Sequence, residues 1–274
     1  MTIALRIAAY IAVSYLVIVF VAWLMQDRLA FPSPRHVLGT PEGGERVAIR
    51  THDGLTLSGW FLPPARPTSR PAPAVIWFTG IMETVGAMAP MLLQMRLPGA
   101  ALLAVDYRGY GENPGKPTEA DVYRDAEAIW DWLAARPDVD AMRIAVYGRS
   151  IGGVSATWLA AHRTPAAVVL DAPFTNARDM ARRHYWFLPR IMTRLDLDNL
   201  ERLRSVDVPV LILHGTQDRI APFWMGQRLA DAARQATLVP IEGAGHNETY
   251  DDAGPMYRDT VHAFLAKAFA TDAP

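Results

Sequence analysis

Three side chains, each standing just after an apolar run, have the types and order needed for nucleophilic acyl chemistry. Gly148-Arg149-Ser150-Ile151-Gly152, with Gly153 following, lies between the run Ile144–Tyr147 and a helical pattern from Val154 to Ala161. This is G-x-S-x-G in a strand-to-helix context, where a sharp turn lifts the serine hydroxyl out of the sheet edge and the flanking glycines make room for close backbone approach. Ser150 is the candidate nucleophile. The Ile151 N–H, at the start of the helix, is a candidate oxyanion donor. A serine needs a base, and a histidine base needs a carboxylate to fix its tautomer and stabilise the imidazolium. His214-Gly215-Thr216-Gln217-Asp218 follows the run Val210–Leu213, and Gly243-Ala244-Gly245-His246 follows Thr237–Ile241. Asp218 is therefore the candidate acid and His246 the candidate base, in the chain order Ser, Asp, His. Asp171, which ends the run before Ala172-Pro173, is a rival acid.

A second oxyanion donor is expected from Phe78-Thr79-Gly80-Ile81-Met82-Glu83, with the Ile81 amide first and Met82 as substitute. Glu83 reads as a first-turn helix residue favoured by the helix dipole. If it faced the site instead, it would suit a cationic substrate group. Asp106-Tyr107-Arg108-Gly109-Tyr110-Gly111 reads as a structural loop shaping the floor of the site. His36, His52, His162, His184, His214 and His262 show no metal spacing, and there is no G-x-x-x-x-G-K-[ST] loop, so neither a metal nor a nucleotide cofactor is expected.

The elements that must position these groups alternate. Runs at 46–50 and 55–62 flank His52-Asp53-Gly54, a hairpin turn. Apolar runs at 74–79, 101–106, 143–147, 167–171, 208–214 and 237–241 suit parallel strands covered on both faces. Helical patterns fall at about 84–97, 118–135, 151–162, 222–234 and 255–269, the second with Val122, Ala126, Ile129, Trp130 and Leu133 on one face. This order predicts a doubly wound α/β sheet that begins antiparallel. The excursion 173–207 is a candidate lid over the carboxyl edge, with Met180–Leu195 helical and Tyr185, Trp186 and Phe187 as packing or acyl-pocket aromatics. Pro-rich stretches at 31–41 and 63–73 read as connections.

Ahead of this domain, Ile7–Met25 is an uncharged run of spanning length, with no small-residue cleavage pattern at its exit. Residues 1–30 are expected to be a single-pass membrane anchor and 31–274 one catalytic domain. Of 274 residues, 51% are hydrophobic and 20% charged, which fits a large core. The net charge of -1 provides no field to gather a nucleic acid. The absence of cysteine excludes disulfides, thiolate nucleophiles and cysteine-ligated metals. Basic residues are almost all arginine, with Lys116 and Lys267 the exceptions, and alanine is abundant; this reads as a high-GC bacterial coding bias, and together with the anchor it makes a bacterial inner membrane the expected location.

Several motifs in order make the chain resemble the α/β-hydrolase superfamily, and within it membrane-anchored BEM46-like serine hydrolases related to the serine aminopeptidase S33 domain. They are the anchor with Gln26-Asp27-Arg28-Leu29-Ala30-Phe31-Pro32, Asp53-Gly54 with Leu57-Gly59-Trp60, and Asp106 through Gly111. The series continues through Gly148–Gly153, Val208-Pro209-Val210-Leu211 with His214–Asp218, and Glu242–Asn247. The resemblance implies an eight-stranded, mostly parallel sheet with a short helical lid. It also implies Ser150, Asp218 and His246 as the triad, and not Asp171. Where the family usually shows His-Gly-Asn, this chain has Thr79-Gly80-Ile81. Hydrolysis of a carboxylic ester or thioester through an acyl-enzyme is the expected reaction, on a small acyl ester, a lipid or an acylated substrate. An aminopeptidase-like amidase and a non-catalytic binding protein are the alternatives.

Overall fold

The computed structural model describes residues 2–35, 39, 41, 43–66, 71–189 and 192–270. His36, part of each Pro-rich connection, and the last four residues of the expected catalytic domain lie outside the described residues. The two strands β1 (Glu45–Arg50) and β2 (Thr56–Leu62) pair antiparallel across the Asp53-Gly54 turn, where Gly54 has φ +86° and the Thr51 N–H donates to the Leu55 carbonyl. Six strands follow: β3 (Ala72–Phe78), β4 (Ala101–Val105), β5 (Val139–Arg149), β6 (Val168–Asp171), β7 (Val210–Gly215) and β8 (Ala236–Ile241). The sheet order is β1-β2-β4-β3-β5-β6-β7-β8, antiparallel at β1-β2 and β2-β4 and parallel from there on. The doubly wound expectation holds.

The period-two geometry of a strand splits the core between two faces. Ile144 and Val146 of β5 join Ile76, Leu103 and Ile212 beneath α4 (Glu119–Ala134), α5 (Gly152–His162) and α8 (Phe223–Ala232). Ala145 and Tyr147 join Val75, Leu102 and Leu211 beneath α3 (Ala89–Met95) and α10 (Pro255–Ala270). The apolar stripe expected on α4 is the buried one, and Thr118 caps that helix by accepting the Asp121 N–H at 3.2 Å.

Two expectations need correction. The helix expected from about 84 starts at Ala89, because Pro90 suits only a first turn and Val85 and Ala87 send their N–H groups to Asp106 and Thr84. Glu83 is thus in a turn, outside any helix. The helix expected over Met180–Leu195 is α6 (Ala177–His184), capped by Asn176. It cannot run on, since Pro189 would lack a donor and restricts Leu188; a turn closed by the Leu188 N–H on the Tyr185 carbonyl follows instead. A second short helix, α7 (Asn199–Arg204), returns the chain to β7.

At the amino end, α1 (Ile3–Leu24) is 22 residues long with an 18-residue stretch of mean hydropathy 2.4, long and apolar enough to cross a membrane, and α2 (Gln26–Ala30) follows it. Of the α1 side chains only Val19 is buried.

Backbone packs on backbone at the carboxyl edge. A Cβ on Gly148 would lie 2.4 Å from the Gly152 carbonyl oxygen, and one on Gly152 would lie 2.3 Å from that of Phe78. Gly148→Ala is therefore expected to destabilise the protein by about 1–3 kcal/mol or more through overpacking, read as a lower urea midpoint. An unchanged midpoint would contradict the close approach.

Candidate active site

Ser150 stands between β5 and α5 with φ +50°, a conformation that costs a non-glycine residue strain and is held by its surroundings. Its N–H donates to the Asp171 carbonyl at 2.8 Å, and its carbonyl accepts the Gly153 N–H at 3.0 Å. The hydroxyl is thus aimed by backbone bonds to two neighbouring elements. Asp218 and His246 arrive from the loops after β7 and β8. Those loops touch because Gly215 leaves no room for a Cβ, which would fall 2.4 Å from the Ala244 carbonyl oxygen.

The structure brings the three predicted residues together. His246 Nε2 lies 2.9 Å from Ser150 Oγ, and His246 Nδ1 lies 2.6 Å from Asp218 Oδ2. Asp218 is a carboxylate and can only accept, so the proton between them sits on Nδ1 and leaves the Nε2 lone pair facing the hydroxyl. Burial by itself would push the Asp218 pKa up, but hydrogen bonds from His214 and His246 outweigh it and hold the group below the usual carboxylate range. Its other oxygen, Oδ1, accepts the N–H groups of Ile220 and Ala221, each at 2.8 Å. Asp171, the rival acid, is fully buried and engaged elsewhere: Oδ2 accepts from Arg149 Nε at 3.2 Å and from the Tyr147 hydroxyl at 3.3 Å.

Two residues that the sequence reading left without a role belong to this assembly. His214, wholly buried, sends Nε2–H toward the Ala221 carbonyl at 2.7 Å, with Asp218 Oδ2 at 3.3 Å. It fits only because α8 presents Gly226, where a Cβ would come 2.5 Å from His214 Nδ1. The signal was its position at the end of β7, four residues before Asp218. Arg149, beside Ser150, forms an ion pair with Glu83, another with Asp171, and donates to the Asn247 carbonyl at 3.2 Å. A guanidinium closing an apolar strand requires buried acceptors, which was the available hint.

Glu83 is consumed by this arrangement. Besides pairing with Arg149, it accepts the Gly80 N–H at 2.6 Å, and so shapes the loop that carries Ile81 and Met82. Met82 in that loop has φ +61°. Neither the Ile81 nor the Ile151 N–H donates to a backbone acceptor among the described residues. The Asp106–Gly111 loop braces this region from behind, where the Tyr107 hydroxyl donates to the Thr79 carbonyl at 3.0 Å and Asp106 accepts the Val85 N–H at 2.7 Å. Expected as the floor of the site, it contributes no residue to the cavity wall.

Ser150 and His246 open into a cavity of about 830 Å³, within the range that holds small ligands. Phe174, Met180, Tyr185 and Leu195 give it an apolar wall, and Arg178, Arg182 and His184 are its other charged or titratable members; no carboxylate lines it among the described residues. Tyr185 and Trp186 of the expected aromatic trio face it, and Phe187 lies beside them, exposed. A cluster of possible metal ligands, His52, Asp53 and Asp121, lies outside this cavity, and Arg108 pairs with both of its carboxylates.

This sheet order, with a strained serine on a strand-to-helix turn facing a histidine, defines a hydrolase of the α/β-hydrolase type. The fold superposes with TM-score 0.71 on an esterase of Pyrococcus furiosus, at 21% identity, over 87% of this chain and 97% of that one. The model of the prolyl oligopeptidase family matches residues 95–272, and the chain belongs to that family within the α/β-hydrolase superfamily. It is similar over nearly its whole length to an uncharacterized protein of Mycobacterium tuberculosis, Rv2307c: 36% identity across 272 residues, 96% of this chain and 95% of the other. It is also similar to the α/β-hydrolase domain-containing protein WAV2 of Arabidopsis thaliana, 30% identical over 81% of this chain and 79% of that one.

Burial pushes the Asp106 carboxyl up to about 6, only partly opposed by the Val85 N–H. The folded protein therefore keeps this proton across a range where the unfolded chain releases it, and stability falls as pH rises from about 4 to about 6. Asp106→Asn retains an acceptor for Val85 without the charge. Above pH ~6 it is expected to be more stable than wild type by about 3 kcal/mol, the gain vanishing below pH ~4; urea titrations across this range are the check.

Proposed function

We propose that the protein is a membrane-anchored serine hydrolase that cleaves carboxylic ester or thioester bonds through an acyl-enzyme. The observation that carries this reading is the continuous chain from Asp218 through His246 to Ser150 Oγ, ending in an apolar cavity. Ser150 Oγ bonds to the substrate carbonyl carbon as its proton passes to His246 Nε2. Asp218, fixed by two backbone N–H groups and His214, stabilises the imidazolium so formed. The carbonyl oxygen becomes an oxyanion, held by the N–H groups of Ile151 and Ile81, which have no competing backbone acceptor among the described residues. Collapse breaks the bond to the leaving alcohol or thiol, which departs with the proton from His246. Water then adds to the acyl carbon, giving a proton to His246; a second collapse releases the acid and returns that proton to Ser150. Atoms balance with water as the only co-reactant.

The cavity chemistry favours an acyl ester over an aminoacyl amide. An aminopeptidase needs an acid to hold the substrate ammonium, and Glu83, the candidate, is neutralised by Arg149, while no carboxylate lines the cavity among the described residues. Residues 1–30 serve as a single-pass anchor, here in a bacterial inner membrane, and 31–274 as the catalytic domain, with 173–207 as its lid.

A fluorophosphonate probe is expected to label wild type and not Ser150→Ala; equal labelling of both, or of neither, would reject Ser150 as nucleophile and leave a binding role. Turnover of p-nitrophenyl acyl esters is expected to exceed that of aminoacyl anilides, and exclusive anilide cleavage would reverse the ester assignment. Asp218→Asn keeps the shape but favours the wrong imidazole tautomer, so kcat is expected to drop about 10³–10⁴-fold with KM little changed, as steady-state kinetics would show.

A further inference from the structure

The cavity that holds Ser150 is walled in part by the apolar amino-terminal helix. Val19, Ala22 and Trp23 of α1, with Gln26 and Leu29 of α2, line the same space as Ser150 and His246. At 1.5 Å per residue α1 is about 33 Å long, close to the ~30 Å of bilayer hydrocarbon. Its side chains are exposed except where it meets this cavity, at the buried Val19 and the half-buried Ala22 and Trp23.

The lid is stitched to both of these helices. Gln26 Nε2 donates to the Met192 carbonyl at 2.7 Å, the Arg194 N–H donates to Gln26 Oε1 at 2.7 Å, and Arg194 pairs with Asp27 at 3.1 Å. Further along α1, the Tyr15 hydroxyl donates to the Phe187 carbonyl at 2.9 Å. Tyr15 is nine residues before Leu24, about 13 Å along the axis. If α1 spans, the lid turn lies within the apolar layer. Its exposed surface suits that depth: Trp186 is 82% exposed, flanked by Tyr185 and Phe187. An irregular turn in hydrocarbon must satisfy its carbonyls internally, and Tyr15, one of the few polar groups on α1, does so for Phe187.

We propose that the last turns of α1 and the lid turn form a side channel by which a long acyl chain dissolved in the bilayer reaches Ser150. The substrate class is a long-chain acyl ester resident in a membrane, and α1 is a specificity-determining wall of the site as well as a tether. The proposal rests on the hydrolytic reading of Ser150.

The test uses the full chain in lipid nanodiscs, with p-nitrophenyl butyrate and p-nitrophenyl palmitate as substrates. Ala22→Trp places an indole in the channel and is expected to lower the palmitate-to-butyrate ratio of kcat/KM about tenfold or more, the scale on which pocket size discriminates chains. Ala12→Trp, on the same helix away from the cavity, is expected to leave that ratio at the wild-type value. An unchanged ratio in Ala22→Trp, or an equal fall in both variants, would overturn the channel while leaving Ser150 as nucleophile. Wild type inert to both esters and to fluorophosphonate would overturn the hydrolytic reading and the channel with it.

A readout independent of turnover is crosslinking. A hexadecyl fluorophosphonate bearing a terminal diazirine, reacted in vesicles and irradiated, is expected to crosslink to the peptide containing residues 15–29. Crosslinks confined to the body of the hydrolase domain would place the chain elsewhere and overturn the proposal.

Discussion

Everything at the site depends on backbone meeting backbone at the carboxyl edge of the sheet, at distances that exclude even one methyl group. Gly148 against Gly152, Gly152 against Phe78, and Gly215 against Ala244 draw the ends of β3, β5, β7 and β8 into one small region. These contacts decide where each loop starts. Given those starting points, the positive φ of Ser150 is enforced by the 2.8 Å bond from its N–H to the Asp171 carbonyl. The strain at one residue is offset by a framework that several strands share.

Electrostatics complete what sterics begin. Two systems of buried charge sit side by side without merging. Asp218 is surrounded by donors: two backbone N–H groups and two imidazoles. Asp171, at the end of the neighbouring strand β6, is held by Arg149 and Tyr147. The separation explains why one carboxylate faces the imidazole of His246 and the other does not, although both end up at the same edge. It also removes Glu83 from the substrate's side, since the guanidinium between Glu83 and Asp171 takes both charges.

The parts legible in the sequence were those governed by local rules. Alternating apolar runs gave the strands within a few residues, and each of Ser150, Asp218 and His246 could be found because each follows such a run. What escaped depends on contacts between distant segments. Arg149 read as an arbitrary residue inside a pentapeptide because its partners come from residues 83, 171 and 247. His214 read as a strand end because its neighbour Gly226 lies on a later helix. Glu83 was misplaced because the start of α3 is set by Pro90 and by the bonds that the Val85 and Ala87 N–H groups donate to the side chains of Asp106 and Thr84. Hydropathy marked α1 as long and apolar enough to cross a membrane but carries no information about which face of it meets Phe187 and Arg194.

Arg149 has a mechanical consequence. A single planar group grips the loop after β3, the end of β6 and the segment following His246, all from the residue preceding Ser150. None of these pieces can drift without dragging a charge out of its socket. Such a linchpin ties the three segments to one another, so on heating the loosening of any one of them is expected to release the other two with it.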